Sequence, residues 1–476
     1  MAETAAPGAT TRVPRHILLP LALAQFICSF AGSNMNVMIN DISEDLDTTV
    51  QGVQTAITIF LLVMAALMIP SGKLTERYGR KLCFRVGLAV YGVGALLSAV
   101  APGLGVLILG NSLLEGIGTA LLIPPVYILT TLLFPDLTSR ARAFGAIMAM
   151  GGIGAAAGPL IGGLITTGIS WRAAFVFQAL IVGCILVMSR RVPDPLPAQP
   201  GAPMDVRGMV LSAAGLVLLV MGILAVDDNG WLAGGLLAAG ALVLVWFFRT
   251  ARALEAAGKE PLLSTSLFHN RTSNLGLITQ HVQWLVLMGV SFVAAAYLQV
   301  VRGYNAIETG VIFTAATVGL LASSLGAERF AKRRAQRTLI VAGFVLTVGG
   351  IVLLLVLAGG TADPWASAPG LFLVGVGLGV MLTPSVNIVQ SSFGESEQGE
   401  ISGLSRSVSN LGSSLGTAIA GTILVAGPAH AYAAAMITLA AIGLAGLVAG
   451  ALLPGGSAGV GAPSPGTATQ GPSGNT

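Results

Sequence analysis

Apolar residues in this chain come in long unbroken stretches, not in alternation. From His16 onward, one run of roughly 20 residues follows another, with short polar connections between them. A run of that length crosses the hydrocarbon of a bilayer as a helix. In lipid the backbone can satisfy its own N–H and C=O groups only as a helix or a closed barrel. Barrel strands alternate apolar and polar residues and these runs do not, so the prediction is an all-α integral membrane protein. Fourteen transmembrane helices are predicted: His16–Met38, Gly52–Gly72, Leu82–Ala101, Leu104–Val126, Arg142–Thr166, Arg172–Arg190, Gly208–Val226, Trp231–Arg249, Leu275–Gln299, Ala306–Gly326, Thr338–Leu357, Gly370–Ser391, Leu404–Ala426 and Ala429–Leu452.

The charges fix their direction. With the N-terminus in the cytoplasm, every one of the 24 basic residues except Arg172 and Arg302 falls on the inner side, Arg406 included. The first outer connection, NDISEDLDTTV, is purely acidic. One missed or invented helix would exchange the sides of everything after it, so both termini are expected inside. A Pro-rich linker, SRRVPDPLPAQPGAPMD, and a basic one, RTARALEAAGKEPLLSTSLFHNR, divide the spans into six, two and six. The expected domains are an N-terminal six-helix bundle (1–192), linkers with two extra helices (193–272), a C-terminal six-helix bundle (273–452) and a disordered Gly/Pro/Ser/Thr tail (453–476).

Composition agrees. Of 476 residues, 54% are hydrophobic and 9% are charged, against about 25% charged in a soluble domain. The net charge of +4 follows membrane topology and is no nucleic-acid signal. Cys28, Cys83 and Cys184 sit in or at the ends of apolar runs as packing residues, with no disulfide framework or metal spacing. No zinc, phosphate-loop or hydrolase motif stands out, so neither a metal nor an enzymatic role is expected. The first apolar run is too long for a signal-peptide core and is expected to be retained. Arg in preference to Lys, with abundant Ala and Gly, points to a bacterium with a GC-rich genome.

GKLTERYGRKLCFR (Gly72 to Arg85) resembles the cytoplasmic signature between the second and third helices of the major facilitator superfamily, with Glu76 where Asp is usual. Its elements are Gly72, Glu76, Arg77, Gly79, Arg80 and Lys81. Here a glycine turn would join helix ends, and the cations would pair with carboxylates or helix C-termini. GAAAGPLIGG (Gly154 to Gly163) resembles that superfamily's antiporter motif through Gly154, Gly158, Pro159, Gly162 and Gly163. Three of these glycines recur every four residues, so a neighbouring helix can pack backbone to backbone, while the proline bends the helix. FPDLTSRARAFG, SWRAAFVFQ, PLLSTSLFHNR, YLQVVRGYNAIETG and GEISGLSRSVSNLGSSLGTAIAG extend the likeness to the fourteen-helix drug/proton antiporter branch. The resemblance implies the major facilitator fold, with two six-helix bundles around a central cavity and two extra helices. It also implies alternating access by rocking, driven by the proton gradient without a cofactor.

Two departures matter. The branch's first-helix Asp matches Ala31 here, and its fourth-helix Arg and Gln match Ser112 and Glu115. Glu115 is the only acid predicted deep in a span, about 16 Å along a helix rising 1.5 Å per residue. Ionised groups there mark ion or proton routes, and withdrawal from water favours the protonated form. Glu115 is therefore the leading proton carrier, with Asn111 one turn away. The bland alternative is a permanently protonated structural tie. His281 is a second proton candidate, or else a packed and hydrogen-bonded group. Gln25, Ser29, Asn36 and Asn40 form a polar stripe on the first helix. Gln280, Trp284 and Met288 share a face of the ninth, and Asn387 and Asn410 are further cavity candidates.

The expected protein is a proton-coupled antiporter in a bacterial inner (plasma) membrane. It would act as a monomer with no nucleic-acid partner and export amphipathic drugs, antibiotics or metabolites. A dedicated exporter of one metabolite or lipid, and a non-transporting receptor or scaffold, stand as alternatives.

Overall fold

The computed structural model describes residues 15–134, 137–195, 198, 200–201, 204–226, 229–331, 335–360, 364–393, 398–426 and 431–454. The basic residues Arg12, Lys332, Arg333 and Arg334 and most of the C-terminal tail lie outside them.

The first half runs α1 (Arg15–Val37), α2 (Val50–Tyr78), α3 (Arg80–Ala99), α4 (Leu104–Leu133), α5 (Leu137–Gly168) and α6 (Trp171–Arg191). Next come α7 (Val206–Leu224) and α8 (Gly230–Ala256). The second half runs α9 (Arg271–Val301), α10 (Ala306–Ala331), α11 (Gln336–Gly360), α12 (Ala368–Gln390), α13 (Gln398–Ala426) and α14 (Ala431–Ala451). Among the described residues, twelve of these helices are long and apolar enough to cross a membrane, and α5 would make a thirteenth as a bent pair. α13, which holds Glu400, Arg406 and a run of serines, is not one of them.

The two halves repeat one packing pattern. In the first, α1 packs on α5, α2 on α4, α3 on α4 and α6; in the second, α9 packs on α13, α10 on α12, α11 on α12 and α14. Small residues make these contacts possible, because lipid supplies no hydrophobic drive between helices and close backbone approach must replace it. A side chain at Gly154 would strike the carbonyl of Phe26 on α1, and side chains at Gly158 and Gly162 would strike Ser33 and Asn34 of the same helix. Gly412 and Gly416 of α13 meet the carbonyls of His281 and Leu285 on α9 in the same way.

Two seams join the halves. Gly163 faces the carbonyl of Ala306 and Gly310 that of Pro159, which closes α5 on α10. α13 lies along α2, with Ser407 Oγ donating to the Ala65 carbonyl at 2.6 Å and Ser414 Oγ to the Thr58 carbonyl at 3.0 Å. α7 covers this second seam by touching both α2 and α13, and α8 packs on α7. The extra pair is thus peripheral to the interface between the halves. α5 bends by 40° between Ala155 and Ala157. Pro159 has no N–H to offer the carbonyl of Ala155 four residues back, which locates the bend.

Candidate functional site

A cavity of about 90 Å³ lies between the halves. From the first half, α1 contributes Gln25, Cys28, Ser29, Gly32 and Ser33, α2 contributes Leu61, Met64 and Met68, and Ile123 and Ala155 come from α4 and α5. Trp284 and Met288 of α9 face them, beside Arg406, Ser409, Asn410 and Ser413 of α13. The surface is therefore greasy on the methionine and tryptophan side and polar along α1 and α13.

Five cavity candidates, Gln25, Ser29, Trp284, Met288 and Asn410, do line it. The others stand elsewhere. The carbonyl of Asn36 accepts from Gln299 Nε2 at 2.7 Å, and Gln299 Oε1 accepts from the Asn40 N–H at 3.2 Å, so the backbone at both asparagines is tied to the end of α9. Gln280 is buried at the α9–α13 contact, where Ser405 Oγ donates to it at 2.7 Å. Asn387 is exposed on α12. Asn111 faces Glu115.

Arg406 is the residue that sequence reasoning misplaced. It lies within the bundle on the cavity wall, not on the inner rim. Its guanidinium bonds the hydroxyl of Tyr127 on α4 and sits 5.0 Å from that ring's centre, a cation–π contact between the halves. Tyr127 in turn donates to Gln25 Oε1 at 3.2 Å. The available signal was helical spacing, since Arg406, Ser409, Asn410 and Ser413 share one face of a serine-rich helix.

Glu115 is wholly buried, but it lies outside the cavity lining. It ends a π-helical stretch, Ile108–Glu115, inside α4, and such widened turns recur at functional positions. Asn111 Nδ2 donates to Oε2 at 3.4 Å, and Oε1 makes no hydrogen bond. Tyr91 and Ser98 of α3 face the carboxyl, and no lysine or arginine among the described residues forms an ion pair with it. Thr119, one turn along α4, contacts Cys28, whose thiol belongs to the cavity wall. The carboxyl therefore stands one side-chain layer behind the cavity. His281 does not line the cavity; its Nδ1 is 3.1 Å from the Val408 carbonyl, which ties α9 to α13.

The cytoplasmic signature is built differently from its expected turn. Gly72 lies inside α2, with open space where a side chain would go, and only Gly79 breaks the helix. Gly79 has φ +99°, a backbone state that favours glycine. The Lys81 N–H donates to Asp194 at 3.0 Å and its Nζ to the Arg190 carbonyl at 3.0 Å, so this turn is fastened to the end of α6 in its own half. Arg80 is buried, and Arg77 lies over the Tyr78 ring. Glu76 is half-exposed and 4.0 Å from Lys73. Beside this stretch, Lys73 reaches across the halves to Glu400 of α13, at 3.5 Å.

At the start of α6, Arg172 hydrogen-bonds Asp45, and the Trp171 indole N–H donates to the same oxygen at 3.1 Å. The guanidinium first, and the indole after it, hold the Asp45 carboxyl below the usual carboxylate range.

Two matched helical bundles that enclose a cavity at their seam are the architecture of a multi-pass membrane transporter. The sequence profile of the Major Facilitator Superfamily matches residues 21–417, and the chain belongs to that family. Its curated relatives include the puromycin resistance protein pur8 of Streptomyces alboniger, 29% identical over 85% of this chain and 81% of that one. The probable actinorhodin transporter of Streptomyces coelicolor is 29% identical over 82% of this chain and 69% of its own length. The multidrug efflux pump LfrA of Mycolicibacterium smegmatis is 27% identical over 88% and 82%. Among solved structures, a peptide transporter POT in complex with sulfate superposes with a TM-score of 0.68 over 94% of each chain at 16% identity, a likeness of fold. Family membership makes this protein a transporter and not an enzyme.

Proposed function

We propose that the protein is a proton-coupled antiporter of the fourteen-helix branch that exports amphipathic small molecules from a bacterial cytoplasm. Both termini lie inside the cell, the protein acts as a monomer and no cofactor takes part. The relatives named for drug resistance or export support the direction of transport. The observation that carries the coupling is Glu115, a wholly buried carboxyl with one oxygen unbonded, inside a membrane helix.

An ionised acid there is costly without water or a cation, and a protonated one is not. Glu115 therefore takes up a proton from water that reaches it in one state of the bundles, keeps it as the neutral acid while its pocket is dry, and gives it to water on the opposite side after rocking. Because it stands behind the cavity, proton and cargo do not compete for one position. They are linked through α1, which presents Gln25 and Ser29 to the cargo and Cys28 toward Thr119 and Glu115. His281, held on a backbone carbonyl, has no part in this scheme.

Proteoliposomes loaded with a pH-sensitive dye test it. Adding an amphipathic cargo to wild-type vesicles is expected to move protons opposite to the cargo. Cargo flux with no proton movement would overturn the coupling.

A further inference from the structure

We infer that the cavity takes cargo bearing an oxyanion on a flat apolar body, and that it disfavours cations of the same shape. This rests on the export reading above and specifies its substrate class. Arg406 is the only charged side chain among the described residues of the lining. Tyr127, a neutral phenol, holds the guanidinium by a hydrogen bond and by its ring face. That contact orients the positive charge on the wall.

A second observation points to an acceptor. One helical turn beyond Arg406, Asn410 also lines the cavity, and its Nδ2 is a buried donor with no hydrogen-bond partner. A guanidinium and an amide donor at i and i+4 on one helix face converge on a single oxygen-rich group. The serines beside them add no comparable demand, since Ser409 and Ser413 donate along α13 to the carbonyls of Ser405 and Ser409.

Around the donors, Met64 and Met68 of α2 and Trp284 and Met288 of α9 supply the apolar part of the lining. Methionine adapts to irregular flat ligands, and the indole offers a face for stacking. A cation placed here would meet the guanidinium in a low-dielectric space, where like charges repel far more than in water. An anion leaving the cell also travels with the membrane potential, so its export and proton entry are driven in the same electrical sense.

Fluorescein and rhodamine 123 share a flat xanthene body and differ in charge, the first anionic and the second cationic. Binding of each to the purified full chain in nanodiscs, followed by fluorescence anisotropy, is the first arm. Flux of each in proteoliposomes under an imposed pH gradient is the second. The expected result is preference for fluorescein in both arms. Affinity should fall about tenfold or more in Arg406→Gln, less in Asn410→Ala, and be largely kept in Arg406→Lys.

Preference for rhodamine 123, equal binding by Arg406→Gln, or no binding of fluorescein overturns the inference. If rhodamine 123 moves under the pH gradient in place of fluorescein, the charge assignment falls while proton-coupled export stands. If fluorescein flux requires Arg406 but ignores the pH gradient, the charge assignment stands while the coupling falls.

Discussion

The crossing of α3 with α4 and the crossing of α11 with α12 are the same joint built twice. Gly94 meets Gly110 and Gly87 meets Gly118 in the first half; Gly350 meets Gly370 and Gly343 meets Gly377 in the second. A side chain at Gly94 would strike the N–H of Glu115, and one at Gly350 would strike that of Val374, so these two residues are counterparts. Likewise Ser98 borders Gly110 as Leu354 borders Gly370, and Tyr91 borders Gly118 as Thr347 borders Gly377. From Gly110 to Gly118 is eight residues, while from Gly370 to Gly377 is seven. The additional residue is taken up by the π-helical stretch that ends at Glu115.

The second half thus shows what the joint needs for packing alone: regular helix and buried Leu354, Leu371 and Val374. The first half holds Ser98, Asn111 and Glu115 at matching places, with Asn111 Oδ1 and Glu115 Oε1 unbonded. Buried polar atoms without partners cost stability. Their presence in one copy of a joint that packs well without them is the feature that supports the proposed coupling role of Glu115.

Breaking the shared part should have the largest effect. Gly94→Leu and Gly350→Leu each force a side chain into a facing backbone, so each is expected to cost about 4 kcal/mol or more and to leave little folded protein. Fluorescence-detected size exclusion checks this; tolerance of either variant would refute the shared joint.

Exchanging the difference comes next. Val374→Glu puts a carboxyl where the second half offers Leu354 and Leu371, and should destabilise by roughly 3 kcal/mol. Glu115→Leu makes the first half resemble the second. It should raise thermal stability by about 1 kcal/mol or more while removing pH-driven flux, because a well-packed apolar group replaces an unsatisfied polar one. A large loss of stability would show that Glu115 is a structural tie.

The halves also differ at their rims, where effects are small. Lys73→Ala removes the link to Glu400 and should change stability by at most about 1 kcal/mol, less at high salt. Asp45 and Arg172 fasten the end of the first half where α6 begins. The Asp45 carboxyl is held low, so its contribution is complete above the ordinary carboxylate value of about 3.9 and fades as pH falls through the lowered one. Hydrogen exchange of residues 39–48 should separate wild type from Asp45→Asn at pH 7, and the difference should narrow as pH falls below about 3.9. A difference that does not narrow would assign the effect to something other than the charge.

Much of this was legible in the chain. Apolar run length placed the helices, and glycines every four residues foretold that α5 would lie backbone to backbone on a neighbour. What the sequence withheld was partnership. The glycine motif does not say that α1 is the neighbour, and Arg406 read as one more inner cation until its helix was seen to begin at Gln398. Gly72 looked like part of a turn because the polar residues after it suggested a loop, yet α2 carries them as a helix beyond the apolar run. The placement of Glu115 behind the cavity depends on the π-helical widening, and no hydrophobic pattern records one inserted residue in a helix.

The most direct measurement compares two modes of transport in one set of vesicles, wild type against Glu115→Gln. Exchange of labelled for unlabelled cargo needs only the rocking of loaded bundles, whereas uphill movement under a pH gradient needs the proton as well. The account predicts that Glu115→Gln keeps exchange near the wild-type rate and loses gradient-driven accumulation by on the order of a hundredfold. Gradient-driven accumulation at the wild-type level would contradict it.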